Sequence, residues 1–418
     1  MNLKLRLILM NFLQFFIWGS WLITISNYWF GTKQWSSTEF GAVFLTLGIA
    51  SLFMPTITGI IADKWINAEK LYAILHLLSG VTVFCLPLVD NPHTFFWIML
   101  LAMCFYMPTI ALTNTVGYNA LKTHGFDVIK HFPPIRVFGT IGFILAMWTT
   151  NLTGNKATEV QFYISAVASF ILGTYSFTLP KCPPKLKSAE KTSLVKILGL
   201  DAFKLFANYK MALFFIFSML LGASLQLTNM YGDVFLDEFK NIPKYADSFV
   251  VRYSTIIMSI SQISETLFIL TIPFFLKKLG IKKVMLISMI AWVLRFGLFG
   301  YGNPEEGLWM IILSCVVYGM AFDFFNISGA LFVETQCDPS IRASAQGLFM
   351  MMTNGFGTMI GAYTSGVVIN KFFILENGLR DWPGIWKAFA LYALVIAILF
   401  AILFKHKHNP QEITTIQH

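Results

Sequence analysis

The chain has 418 residues, 56% hydrophobic, 16% aromatic and only 12% charged, with 30 Lys and Arg against 21 Asp and Glu and a formal net charge of +9; its mean hydropathy is +0.67. Soluble domains carry about a quarter charged residues, whereas here apolar runs recur along the whole length, each able to cross a hydrocarbon core of roughly 30 Å as a helix. The composition therefore excludes an ordinary soluble domain and predicts an all-α, polytopic membrane protein, and the lysines sit in loops rather than in a stripe suited to nucleic acid.

The first twenty residues, with Lys4 and Arg6 ahead of an apolar run, mimic a signal peptide. No small-x-small cleavage site follows and Trp18, Trp21 and Trp29 extend the run, so it reads as an uncleaved first span. Apolar runs between charged or Pro/Gly-rich breaks predict twelve spans, near 5–30, 39–62, 70–90, 94–120, 134–153, 158–180, 208–238, 248–276, 281–301, 306–335, 341–374 and 382–404. The last two are divided only by the polar step Glu376-Asn377-Gly378.

Placing both termini and alternate loops on one side collects 20 Lys and Arg there against 8 opposite, with Arg136 and Arg295 left in or near spans. The positive-inside rule then makes both termini cytoplasmic. The longest connection on that side, 181–207, opens with Lys-Cys-Pro-Pro and holds six lysines. It divides the chain into a bundle over 1–180 and a second over 208–404, followed by a cytoplasmic tail over 405–418, the layout of a transporter built from two parallel six-helix halves. The loop after the second span carries Gly59, Asp63 and Lys64, and 273–282 occupies the same loop of the second half. Here the chain resembles the major facilitator superfamily, whose pattern Gly-x-x-x-Asp-Arg/Lys-x-Gly-Arg/Lys-Arg/Lys is matched in its front half. Ile66, Asn67 and Ala68 depart from the rest, while Gly280 and Lys282 supply the back half in the second copy. The resemblance implies a gating role for Gly59, Asp63 and Lys64.

Polar residues inside the spans narrow the chemistry. In the fifth span Arg136, Thr140 and Phe143 fall on one face, after two prolines that mark the helix start, and snorkelling of Arg136 to the interface is the competing reading. The seventh adds Gln226 and Asn229 at i, i+3, a pair that helix packing alone would also explain. In the eighth, Ser254, Met258, Ser261 and Glu265 form a stripe bordered by Gln262, with Glu265 roughly 18 to 20 Å along the helix from Arg252 and from Lys277. The tenth holds Asp323, the only carboxylate over 308–333, at an insertion cost on the order of 3 kcal/mol unless it faces a wet cavity or a partner. Gly319, Asp323 and Asn326 share its face, and Tyr318, Phe322 and Phe325 form the adjoining one. Gln14, Trp18, Asn114 and Tyr118 could reach a cavity, but packing is the favoured reading.

Carboxamides, two acids, a guanidinium and aromatic rings suit a solute with a hydroxylated sugar and a planar heterocycle, and two acids against one Arg favour a neutral one. Acids in a midplane cavity can load and release a proton as access alternates, and sodium coupling would use acids too. Cys85, Cys104, Cys182, Cys315 and Cys337 are scattered, the histidines lack ligand spacing and no phosphate-binding glycine loop appears, so no cofactor, metal site, ATP drive or enzyme chemistry is expected.

The strings Trp18-Gly-Ser-Trp-Leu, Phe132-Pro-Pro-Ile-Arg, Gln262-Ile-Ser-Glu-Thr, Phe322-Asp-Phe-Phe-Asn-Ile-Ser-Gly and Ile341-Arg-Ala-Ser-Ala-Gln-Gly together resemble the nucleoside:proton symporter family of that superfamily, across essentially the whole chain. The resemblance implies a monomeric importer in the bacterial inner membrane, surrounded by lipid, that carries nucleosides with protons. Its binding positions would be Arg136, Thr140, Phe143, Gln226, Asn229, Gln262, Glu265, Tyr318 and Phe322, with Asp323 joining Glu265 as a candidate for coupling. A carrier of another neutral solute such as a sugar, or a sensor on the same fold, are the rival readings.

Overall fold

In a membrane a backbone amide must be satisfied within the chain, and a helix does this locally. A computed structural model describes residues 2–184, 200–338 and 341–407. Lys185, Lys187, Lys191 and Lys196 of the expected linker and most of the expected tail lie outside them. Among the described residues every long element is a helix, and the one β-bridge joins Ile374 to Arg380.

The helices are α1 (Leu3–Gly19), α2 (Ser37–Lys64), α3 (Ala68–Cys85), α4 (Pro92–Thr123), α5 (Val128–Leu152), α6 (Val160–Ser176), α7 (Tyr209–Leu225), α8 (Leu227–Glu238), α9 (Ser254–Ile269), α10 (Ile272–Leu279), α11 (Ile281–Tyr301), α12 (Leu308–Gln336), α13 (Arg342–Met350), α14 (Thr358–Phe372) and α15 (Trp382–Leu403). Among the described residues, eight spans are long and apolar enough to cross unaided, and a ninth forms if α9 and α10, bent by 55°, are counted together. The remaining three of the twelve expected spans are the first, the sixth and the eleventh. The first runs from α1 through a turn to a π-helical stretch, Tyr28–Thr32, and α6 has only 17 residues. The eleventh is α13 and α14 joined by the π-helix Met351–Gly357. The seventh is broken at Gln226, between α7 and α8.

One expectation is corrected. Pro133 and Pro134 lie inside α5, which begins at Val128, rather than marking its start. Being near the N-terminus, they forfeit two hydrogen bonds without ending the helix, and Arg136 consequently sits further inside it.

Two compact units divide the chain, one comprising 1–192 with 229–234, the other 193–228 with 235–418. Within the first, α1 packs on α5, α3 on α6, and α2 and α3 on α4. Within the second, α7 packs on the Met351–Gly357 stretch and α14, α11 on α15, and α9 and α11 on α12. Counted by span, the same pairs recur six spans later.

Glycines let two of these pairs approach backbone to backbone. A Cβ on Gly142 would lie 2.2 Å from the Phe12 carbonyl oxygen, and one on Gly19 2.5 Å from that of Phe143. In the other unit Gly222 faces the Thr353 carbonyl and Gly361 that of Ala223, each at 2.2 Å. Small residues at membrane helix contacts have this effect generally.

The first unit is held by a buried polar hub. Gln14 accepts at Oε1 from the Tyr72 hydroxyl at 2.7 Å, from His76 Nε2 at 2.8 Å and from Thr113 at 3.1 Å, and it donates from Nε2 to Thr109 at 2.8 Å. Gln14 and His76 are fully buried. A carboxamide with both ends engaged ties α1, α3 and α4 together, and its oxygen, which only accepts, places the His76 proton on Nε2.

Candidate functional site

In the first unit α5 carries three of the expected residues. The Arg136 guanidinium lies over the Phe15 ring, 3.9 Å from its centroid, a cation–π contact that holds it against α1. Thr140 is half-buried and Phe143 is buried, with its ring edge-on to Trp18 at 6.3 Å. The Gly19 and Gly142 approaches set this geometry, because they bring α1 close enough for Phe15 and Trp18 to reach α5. Gln226 occupies the break between α7 and α8, and Asn229 follows in the first turn of α8; both are half-buried. A break of this kind frees backbone groups, which membrane proteins tolerate where protein or a cavity can satisfy them.

The second unit gathers the others on α9 and α12. Gly319 meets the Ser264 carbonyl so closely that a Cβ would lie 2.6 Å from it, and the Ser264 hydroxyl donates to the Val316 carbonyl. This contact sets the turn bearing Gln262 and Glu265 against the turn bearing Tyr318, Phe322 and Asp323. Tyr318 and Phe322 stack with centroids 5.7 Å apart and planes at 19°. Asp323 is 6% exposed, and its Oδ2 is buried with no hydrogen-bond partner among the described residues; Gln262 Oε1 is in the same condition. Glu265 is half-buried. Here, then, are two acceptors without donors beside a pair of stacked rings.

The expected faces hold only in part. Phe325 turns away from Tyr318 and Phe322 and packs towards Phe349 at 6.1 Å. Ser261, expected on one stripe with Glu265, is buried and accepts from Arg295 Nη1 at 3.2 Å. Gly59, Asp63 and Lys64 lie near the C-terminal end of α2. The space beside Gly59 is open, and Asp63 and Lys64 are exposed with no side-chain hydrogen bond or ion pair among the described residues. The engaged acid of that loop is Glu69 instead: buried, it accepts from the Cys182 amide at 2.7 Å and from Asn67 at 3.0 Å.

Two buried charged groups were given no role in the sequence, and a third polar residue was read as packing. Arg295 is fully buried in α11. Asp233 in α8 is also buried and accepts from the Asn27 amide at 2.5 Å, inside the first unit. Gln14, expected to pack, does so through the polar hub. All three are polar residues within apolar runs, the signal that found Asp323, and each lay in view for the same reason. Among the described residues no group of three or more His, Cys, Asp or Glu is placed to hold a metal ion.

A profile described as "Nucleoside H+ symporter" matches residues 1–409. The chain belongs to the nucleoside H+ symporter family. Among its relatives, the nucleoside permease NupG of Escherichia coli (strain K12) is 51% identical over 421 residues, covering all of both chains. The xanthosine permease of the same strain is 51% identical over 414 residues, covering 99% of this chain and 98% of the relative. The crystal structure of the nucleoside transporter NupG superposes with a TM-score of 0.91 at 52% identity, over 97% of this chain and 100% of that one. A mutant of that transporter gives 0.94. The chain is thus a multi-pass membrane transporter of the symporter family with the major facilitator architecture, and not an enzyme.

Proposed function

We propose that this symporter imports nucleosides across the cytoplasmic membrane together with protons, as a monomer with both termini cytoplasmic. Six-helix bundles over 1–180 and 208–404, joined by the basic connection over 181–207, alternate access to a site near the midplane. Arg136, Thr140, Gln226, Asn229 and Gln262 serve the hydrogen-bonding groups of the nucleoside, while Phe143, Tyr318 and Phe322 offer faces to the base. Glu265 and Asp323 carry the coupled proton, and Gly59, Asp63 and Lys64 act at the cytoplasmic gate.

The observation that carries this reading is the arrangement on α12. A buried carboxyl with an unpartnered oxygen lies one residue from one ring of a stacked aromatic pair, in the middle of a membrane helix. A carboxylate so placed favours gaining a proton, or a donor from a bound solute, over remaining charged and unpaired. Binding and protonation at adjacent positions provide the coupling that symport requires.

Uptake of labelled nucleoside into proteoliposomes with an imposed pH gradient tests the proposal. Accumulation should be concentrative with the gradient and fall to equilibration when it is collapsed. Undiminished accumulation without the gradient would remove proton coupling, and uptake of sugars with no response to nucleosides would remove the substrate class.

A further inference from the structure

The second unit contains a buried cation that the site as described does not use. Arg295 of α11 is 1% exposed. Its Nη1 donates to the Ser314 carbonyl of α12 at 2.8 Å and to Ser261 Oγ of α9 at 3.2 Å. Its guanidinium carbon lies 4.4 Å from the centroid of the Tyr318 ring and 5.4 Å from that of Phe299. Among the described residues its Nε has no hydrogen-bond partner and no carboxylate lies within ion-pairing distance of it.

Packing does not account for the charge. A buried cation loses its hydration, and replacing buried charged groups with apolar side chains of similar volume is often neutral or stabilising. The α11–α12 contact has other fastenings: Ser314 Oγ donates to the Arg295 carbonyl at 2.8 Å, Ser288 Oγ donates to the Ala321 carbonyl at 2.5 Å, and Trp292 meets Tyr318 edge-on at 5.9 Å. What only a planar cation adds is a face on the Tyr318 ring with a simultaneous donor to Ser261. Tyr318 in turn stacks on Phe322, and Ser261 precedes Gln262.

We propose that Arg295 is a positioning residue for nucleoside binding: it fixes the plane of the Tyr318–Phe322 aromatic pair and the register of the turn carrying Gln262. The proposal rests on those residues facing the nucleoside. Arg295 itself lies behind them and acts through them.

The test measures binding of labelled uridine and adenosine to the purified full-length protein, together with its melting temperature. Arg295→Met should raise the dissociation constant about tenfold, the scale of a desolvated cation–π contact, with an unchanged or higher melting temperature. Arg295→Lys, which keeps a cation without the fork, should recover part of the affinity. In a Tyr318→Leu background, where the ring is gone, Arg295→Met should cost less than about twofold more, since coupled residues are not additive. Wild-type affinity in Arg295→Met, or a full tenfold loss on top of Tyr318→Leu, would overturn the proposal. If Arg295→Met does not fold, Arg295→Gln, which removes the charge and keeps donors, is read by the same criteria. A wild-type protein that binds neither nucleoside would overturn the functional reading and this inference with it; nucleoside binding by the wild type with no response to Arg295 substitution would overturn this inference alone.

Discussion

A carboxyl inside a membrane helix is costly when charged and leaves a donor and an acceptor to satisfy when neutral. Among the described residues Asp323 Oδ2 and Gln262 Oε1 both lack a hydrogen-bond partner, which is what the proposed site requires of groups that a proton or solute would complete. Asp323→Asn and Glu265→Gln, which keep shape and remove the titration, should leave nucleoside exchange measurable while abolishing accumulation against a gradient; concentrative uptake equal to wild type in both would reject the coupling assignment. At Gln14 the expected effect is on folding. Gln14→Ala removes the acceptor of the Tyr72 hydroxyl and of His76 Nε2 in the first unit, at about 1–3 kcal/mol for each group left unpaired, and should lower the melting temperature of the purified protein by several degrees. Asp323 and Glu265 were legible because a lone acid in an apolar run is conspicuous in one dimension. Arg295 and Gln14 are equally conspicuous there, but a sequence does not say whether a polar group points at solute, at lipid or at another helix. That difference resides in contacts between residues 19 to 99 positions apart.

Helices in this chain owe their contacts to missing side chains as much as to present ones. A Cβ at Gly142, Gly222 or Gly361 would sit 2.2 Å from a carbonyl oxygen, so Gly→Ala at any of them should destabilise by about 1–3 kcal/mol, as overpacking does. Gly59→Ala and Gly297→Ala, which meet open space, should be nearly neutral by the same thermal measurement and serve as controls. Hydropathy located the long spans well, for example 281–301 against Ile281–Tyr301, since charged loops bound them sharply. It was silent on the interruptions at Gln226, at residues 270–271 and at Met351–Gly357. A segment that is apolar on every side has no period to be disturbed, so the break at Gln226 leaves no mark in the hydropathy pattern. The paired prolines misled for a related reason: they stand in the second turn of a helix that continues past them at the cost of two hydrogen bonds, and nothing in the sequence marks its earlier start.

At the scale of the whole molecule, twelve spans repeat one pairing scheme, with α1 on α5 matched by α7 on the eleventh span and α3 on α6 by α11 on α15. The weak positional match of the two loops, 59–68 and 273–282, accompanies a correspondence far clearer in packing. Orientation is the whole-chain property most directly tested. In a background without the five native cysteines, Trp65→Cys in the loop after α2 and Asp90→Cys in the loop before α4 should behave oppositely towards an impermeant maleimide added to intact cells. Asp90→Cys should label and Trp65→Cys should label only after lysis, although both native side chains are well exposed; the reverse pattern would invert the topology.

The π-helix at Met351–Gly357 winds about one residue more per turn than its flanks. Each surplus residue turns the chain by about 100° relative to an uninterrupted α-helix. Gly361, beyond it, is locked against Ala223, while Gln346, before it, donates to the Ala330 carbonyl at 2.6 Å. The stretch works as a vernier, letting a single crossing segment address two neighbours whose preferred angular settings do not coincide. Deleting one residue there would force one of the two partners out of register.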